Sequence, residues 1–338
     1  MPETTVAAGF VRALLELAVS KGANRDVLVA RAGVEPTTLG DQDNRVPFSA
    51  FVALMREGKR LSGDMALALH FGEAFDVADL SIIGLVGRSS STLAEAFEQS
   101  NRYADLAIAT GSGDPAFVLM REGDHLWMVD TRPIHDDFYE HIEGSFARMV
   151  CTARRWFPGQ AIIKAVHVTW PAPPYRSEYD RVLQVPVVFE SINNALLTDG
   201  AWLDMKPAHA SRYAFDLFRE RADSLAERVH SSGGCRSRVE AYLTPMLHRG
   251  DVRKSEIADA MGMSSRTLSR RLQKESTSFQ ALLDQLRRKT ALQHLNKRGA
   301  SVASVAHLVG FSEPAAFSRA FKRWTGRNPR AARWSKRW

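Results

Sequence analysis

Apolar positions recur along this chain with two periods, and the change between them divides it. Val11, Leu14, Leu15 and Ala18 within Phe10–Val19 fall at the three-to-four-residue spacing of an amphipathic helix. Residues 1–75 as a whole read as helices, broken at Lys21-Gly22 and Gly33–Gly40. Thr92-x-x-Glu95 predicts a capping box that opens a helix to about Tyr103. The period then drops to two. Ala116–Arg121 and His125–Asp130 flank Glu122-Gly123-Asp124 and predict a hairpin. Asp137–Phe157 reads as a helix that stops before Pro158-Gly159. Ile162–Trp170 alternates until Pro171–Pro174 breaks it, and Val185–Glu190 and Ala195–Thr198 add two short strands. A mixed α+β domain with a small sheet is expected over 1–205.

Tyr213, Leu217, Leu225 and Val229 give Ala210–Val229 a helical period, with Pro207 just before it. Ser231-Ser232-Gly233-Gly234 is small and polar and predicts a flexible linker. From Arg238 onward no strand pattern remains, only short helices punctuated by Gly and Ser. The expected division is 1–205, a connecting helix and linker at 206–235, and an all-α domain at 236–338.

That last part contains a repeat. Ile257-Ala258-Asp259-Ala260-Met261-Gly262-Met263-Ser264 aligns with Val305-Ala306-His307-Leu308-Val309-Gly310-Phe311-Ser312. One inserted residue later, Leu268-Ser269-Arg270-Arg271-Leu272 aligns with Phe317-Ser318-Arg319-Ala320-Phe321. Each copy reads as helix, tight turn, helix, over about 255–274 and 301–324. Ala258 and Ala306 are small where two helices cross. Gly262 and Gly310 supply the turn, and Ser264 and Ser312 are expected to cap the second helix. Leu268/Leu272 and Phe317/Phe321, one helical turn apart, face the core. Between the copies, Thr277-x-x-Gln280 predicts a capped helix over Phe279–Lys297, with Leu282, Leu286, Leu292 and Leu295 inward. Its 19 residues span roughly 28 Å at 1.5 Å each, close to the ~34 Å of one duplex turn.

Charge sharpens this picture. The formal net charge of the 338 residues is +7. Residues 236–338 hold 22 Lys+Arg and 7 Asp+Glu, a balance of +15, whereas 1–235 carry −8. Such asymmetry points to a polyanion-binding module joined to one with another task. In a helix-turn-helix the start of the second helix meets base edges in the major groove. The candidates for base reading are Ser265, Arg266, Ser269 and Arg270 in one copy, and Pro314, Ala315, Ala316 and Arg319 in the other. Each arginine suits a guanine edge and each alanine methyl a thymine methyl, so the second copy is expected to read less sequence. Lys254, Arg271, Lys274, Lys322 and Arg323 are the phosphate candidates. Arg287, Arg288, Lys289, Lys297 and Arg298 are expected on phosphates or in solvent rather than on bases.

These residues carry a resemblance. From about Arg238 to Arg333 the chain resembles the DNA-binding domain of AraC/XylS-type transcription regulators. The matching phrases are Val309-Gly310-Phe311-Ser312-Glu313-Pro314, Phe317 to Gly326, and Asn328-Pro329. Where that family has an aromatic three residues after the final proline, this chain has Ala332, and Trp334 stands in its place. The front part resembles the N-terminal effector domain of the subgroup labelled arabinose-binding. That match rests on Leu14–Gly22, Arg45-Val46-Pro47, Gly72-Glu73, Gly84, Ser90 to Ala96, Val185-Pro186-Val187-Val188-Phe189 and Asn194-Ala195-Leu196. The resemblance implies a small-molecule effector, not specifically arabinose, and a homodimer. It also implies double-stranded DNA as partner, and RNA polymerase if the protein is an activator.

Other chemistry is weakly marked. Cys151 and Cys235 fit no zinc spacing and read as free thiols in a reducing cytoplasm. The apolar run Phe10–Val19 lacks a basic lead and a cleavage site, so no leader is expected, and no run is long enough for a membrane span. His135 to His141 resembles a metal cluster, yet Asp137-x-x-Glu140 is also an ordinary acidic helix start. Gly111-Ser112-Gly113 is too short for a dinucleotide loop, and no catalytic motif occurs. No cofactor and no enzyme activity is expected. Arg88, His125, Trp127, Arg132 and Tyr139 are open as effector contacts. Two alternatives stay open: an architectural DNA binder whose front half only dimerises, and an enzyme fused to a DNA module.

Overall fold

The computed structural model describes residues 4–110, 115–123, 125–132, 138–208, 210–232, 234–275, 277–295 and 301–332. Gly111-Ser112-Gly113, Asp124, His135 to Asp137, Gly233, Lys297, Arg298 and Trp334 lie outside the described residues. The chain forms two compact units that meet in sequence between Ala226 and Glu227.

The front unit is α+β. Its helices are α1 (Ala8–Ser20), α2 (Arg25–Ala32), α3 (Phe48–Ser62), α4 (Leu67–Ala74), α5 (Val77–Leu80), α6 (Ile82–Ser89), α7 (Leu93–Arg102), α8 (Ala104–Ala107), α9 (Glu140–Trp156) and α10 (Arg176–Leu183). Val11, Leu14, Leu15 and Ala18 are all buried on α1, as its periodicity requires. Thr92 caps α7 by accepting from the Glu95 N–H at 3.2 Å, and Glu95 returns a bond to the Ser91 N–H at 2.7 Å.

Three short strands were not anticipated in this unit. β1 (Thr5–Ala7), β2 (Arg45–Pro47) and β3 (Ile108–Ala109) form an antiparallel sheet in the order β2-β1-β3. Runs of two or three residues are too short to show a period, and a single side chain ties them. The Arg45 guanidinium donates to Thr5 Oγ1, the Thr5 carbonyl and the Leu106 carbonyl. Burial there lowers its pKa to about 10.

The main sheet contains β4 (Phe117–Glu122), β5 (His125–Asp130), β6 (Ile163–His167), β7 (Val187–Val188) and β8 (Ala195–Thr198), in the order β4-β5-β8-β6-β7. β4 and β5 make the expected hairpin, with Phe117 opposite Asp130 and Glu122 opposite His125. One apolar core lies among α1, α3 and α4, and a second between the main sheet, α9 and α10. Helix α9 lies against α4, where a Cβ on Gly72 would overlap the Gly144 carbonyl and Ala147. That close approach explains the glycine.

The second unit is helical. Helix α11 (Arg212–Ser232) runs through the Ala226/Glu227 boundary and is followed by α12 (Gly234–Leu243), α13 (Lys254–Ala260), α14 (Ser265–Lys274), α15 (Phe279–Leu295), α16 (Val302–Leu308), α17 (Pro314–Thr325) and α18 (Pro329–Ala332). The expected flexible linker is instead helical at Ser231, Ser232 and Gly234. Among the described residues, two apolar clusters pack this unit around α15. Val239, Leu243, Ile257, Leu268 and Leu272 pack with Leu282 and Leu286 from the start of α15. Val305, Val309, Phe317 and Phe321 pack with Ala291 and Leu295 from its end. Leu292 departs from expectation at 37 % exposed. Ala291 and Leu295, one turn apart, fill the inward stripe and leave Leu292 at its edge. The cap of α15 is also one residue later than expected, since the Ser278 hydroxyl accepts from the Ala281 N–H at 3.2 Å.

Candidate nucleic-acid interface

The first helix-turn-helix comprises α13 and α14. Gly262 turns the chain with φ +66. Ser264 then caps α14, its hydroxyl accepting from the Thr267 N–H at 3.2 Å. Leu268 and Leu272 are fully buried, and that fixes which face looks outward. Arg266, Arg270, Arg271 and Lys274 are exposed on α14. None has an ion-pair partner among the described residues, so their charge is available to a polyanion. Ser269 is more constrained. Its hydroxyl donates to the Ser265 carbonyl at 3.0 Å and accepts from Lys254 Nζ at 2.9 Å. It can therefore only accept from a further partner, and Lys254 is pinned to the same helix.

The second copy, α16 and α17, repeats the architecture with different chemistry. Gly310 turns the chain with φ +79. The residue before α17 is Glu313 rather than Ser312, and it makes no side-chain cap. Pro314 follows at the first helical position, where a missing N–H costs nothing. The expected Ser312 cap is thus replaced by proline's fixed φ. Ser318 donates to the Pro314 carbonyl at 2.9 Å, as Ser269 does to Ser265 in the first copy. Ala315 and Arg319 are exposed, and Pro314 and Ala316 half-buried. Lys322 is exposed and has no ion-pair partner among the described residues, whereas Arg323 bonds Asp284 at 3.0 Å.

Arg287 is not where a phosphate or solvent residue would be. It is 8 % exposed, donates to the Gly250 carbonyl at 2.9 Å, and stacks its guanidinium 5.1 Å from the Phe311 ring centroid. Burial lowers its pKa. It ties the segment before the first helix-turn-helix to the second, a role that neither composition nor charge signals. Arg288 and Lys289 are half-buried.

In the front unit the open effector candidates scatter. Arg88 is half-buried on α6, His125 is exposed at the start of β5, and the Trp127 ring packs edge-on to His167 at 4.8 Å. Arg132 pairs with Asp130, and Tyr139 stacks on Trp170 at 4.9 Å. Sequence reasoning missed the polar interior around α9. Glu143 is buried there, accepts from the Tyr175 and Tyr179 hydroxyls, and has one oxygen without a partner. Burial pushes its pKa up to about 7. Lys59 and Glu140 form a buried ion pair at 2.9 Å beside it. His141 and Arg148 are buried on the same helix. One signal was readable: Arg148 interrupts an otherwise apolar run from Phe146 to Cys151. No group of described residues could hold a metal ion, and His141 belongs to this interior instead. Cys151 and Cys235 are both free and buried. No helix among the described residues is long and apolar enough to cross a membrane.

Comparison with known proteins gives two family matches. Residues 22–207 match the family described as the arabinose-binding domain of AraC transcription regulator, N-terminal, and residues 257–334 match a helix-turn-helix domain family. The chain is 27% identical over 327 residues to the ornithine utilization regulator of Pseudomonas aeruginosa, covering 96% of this chain and 95% of that protein. It is 37% identical over 93 residues to the transcriptional activator NphR of a Rhodococcus species, 28% of each chain. Among solved structures it is similar to the transcriptional regulator CdpR from Pseudomonas aeruginosa, with 22% identity and a TM-score of 0.44. That match covers 91% of this chain and 96% of the other.

Proposed function

Because the chain belongs to the AraC transcription regulators with an arabinose-binding-type N-terminal domain, we propose how its two parts divide the work of a DNA-binding regulator. The 1–205 domain binds a small-molecule effector and dimerises, 206–235 connects, and 236–338 grips duplex DNA in the cytoplasm. Arg266, Arg270 and Arg319 read base edges, with Ser265, Ser269, Pro314, Ala315 and Ala316 in the same contact surface. Lys254, Arg271, Lys274, Lys322 and Arg323 hold phosphates, Arg323 by exchanging Asp284 for DNA. A dimer then places four second helices over two half-sites. The effector acts by favouring one domain arrangement over another, since a ligand with equal affinity for both shifts nothing. If the output is activation, RNA polymerase is the further partner. The protein carries out no reaction of its own.

The observation that carries this reading is the duplicated helix-turn-helix with its exposed, unpaired arginines on α14. The experiment is a titration of the full chain against a labelled random duplex pool and an enriched site. A specific regulator prefers the enriched site by roughly 10³-fold or more. Equal affinity for both would support the architectural alternative instead.

A further inference from the structure

Helix α9 presents a polar face inside the front unit that the protein itself leaves unfinished. His141, Ser145 and Arg148 are spaced four and three residues apart, so they lie along one side of the helix, and all three are buried. The Arg148 guanidinium lies 5.3 Å from the Phe10 ring centroid and 5.1 Å from that of Phe71. Among the described residues it has no hydrogen bond and no ion pair, and its Nε is fully enclosed without a partner. His141 stands edge-on to Phe48 at 6.2 Å, and its Nε2 is likewise enclosed without a partner. Arg132 reaches the same face, donating to Ser145 Oγ at 3.3 Å, but its charge is met by Asp130. Asp76 acts on Arg148 only at a distance and is engaged with Trp156 Nε1 at 2.9 Å.

Arginine is almost never fully buried unless paired, and an unpaired interior charge strongly opposes folding. Here the charge remains, and one enclosed nitrogen on each of Arg148 and His141 has no partner. Burial lowers the Arg148 pKa to about 10 and, with Arg132 and Arg148 nearby, drives His141 well below its usual range, so its ring is neutral. A neutral imidazole can place its proton on Nε2 and donate.

We propose that Arg148 and His141 form an anion subsite that takes the carboxylate of a small effector whose remaining body is apolar. The carboxylate supplies two acceptor oxygens and one negative charge, which matches a guanidinium fork plus one imidazole donor. Phe10, Phe48 and Phe71 suit an apolar body and not the hydration of an inorganic dianion. The inference rests on the reading of the front domain as an effector sensor and names the chemistry it senses.

The test uses the full chain, with butyrate and hexanoate as probes, and butyramide, hexanamide and sodium sulfate as controls at matched ionic strength. Melting temperature should rise with the carboxylates, which bind the folded state, and not with the amides or sulfate. Arg148→Met keeps the length and removes the charge. It should weaken carboxylate binding at least about 30-fold, while the unliganded variant melts no lower than the parent because an unpaired buried charge is gone. Should the methionine variant not fold, Arg148→Lys keeps the charge and loses the fork, and calorimetric titration of the parent with acid against amide needs no variant. Equal responses to acid and amide, equal responses to sulfate, no response to either acid, or an unchanged response in the variant overturns the proposal. DNA affinity is read on the same samples. Its loss with the carboxylate response intact strikes the regulator reading, and the reverse strikes the subsite alone.

Discussion

The two helix-turn-helix units share one backbone plan and divide its demands differently. The first is locally self-sufficient. A Cβ on Gly262 would meet open space, and Ser264 caps α14 with its own side chain. The second is braced by its surroundings. A Cβ on Gly310 would overlap the Leu247 carbonyl and the Gly250 backbone, Arg287 spans from Gly250 to Phe311, and α17 starts on proline without a side-chain cap. Their outward faces differ in the same sense. α14 offers four exposed unpaired cations, whereas α17 starts with Pro314, Ala315 and Ala316 and offers two, Arg319 and Lys322, with Arg323 paired to Asp284. A duplicated motif can thus keep its turn and its buried pairs while its two outward faces diverge in chemistry.

The largest expected effect addresses what the copies share. Affinity for DNA should fall by roughly 10³-fold or more between 50 and 200 mM salt if about six phosphates are neutralised per site. Anisotropy titrations at several salt concentrations check this, and a flat response would remove electrostatics from both units. Next comes the turn. Gly310→Ala should cost roughly 3 kcal/mol or more, combining left-handed strain with backbone overlap. Gly262→Ala should cost about 1 kcal/mol from strain alone. Denaturant unfolding of each variant decides, and equal costs would erase the contrast between a free and a braced turn.

Arg270→Ala should cost about 1–3 kcal/mol of DNA affinity and relax one base position. A uniform loss across sequences would make Arg270 a phosphate contact. The smallest effect concerns caps. Ser264→Ala should lower stability by about 1 kcal/mol, while Ser312→Ala should change it by no more than about 0.5 kcal/mol, as for an uninvolved surface residue. Thermal denaturation distinguishes them, and a matching loss at Ser312 would restore it as a cap.

Much of this was legible because it is local. The alignment of Ile257–Ser264 with Val305–Ser312 fixes two turns and two buried pairs without any tertiary information, and Gly262, Gly310, Leu268 and Phe317 all sit as their spacing requires. The hairpin of β4 and β5 was readable for the same reason. What escaped is made by distant partners. β1, β2 and β3 pair across distant sequence, with Arg45 donating to Thr5 and Leu106, and strands that short carry no period of their own. Arg287 looks in sequence like a solvent-facing helix cation, and Arg148 shows only as a break in an apolar run. Only the packing of Phe311 in one case, and of Phe10 and Phe71 in the other, puts them inside. Leu292 errs the opposite way, because a 17-residue helix serving two cores changes its inward stripe along its length.

The most direct test of the central claim is selection of the full chain on a random duplex library, followed by sequencing. Two second helices in successive major grooves should enrich sites with two short motifs about one helical turn, or 10 base pairs, apart. The motif assigned to α14 should be the more sharply defined, and the one assigned to α17 the more degenerate. A single motif, two equally sharp motifs, or no enrichment over the starting pool would contradict a tandem reader with one specific and one anchoring unit.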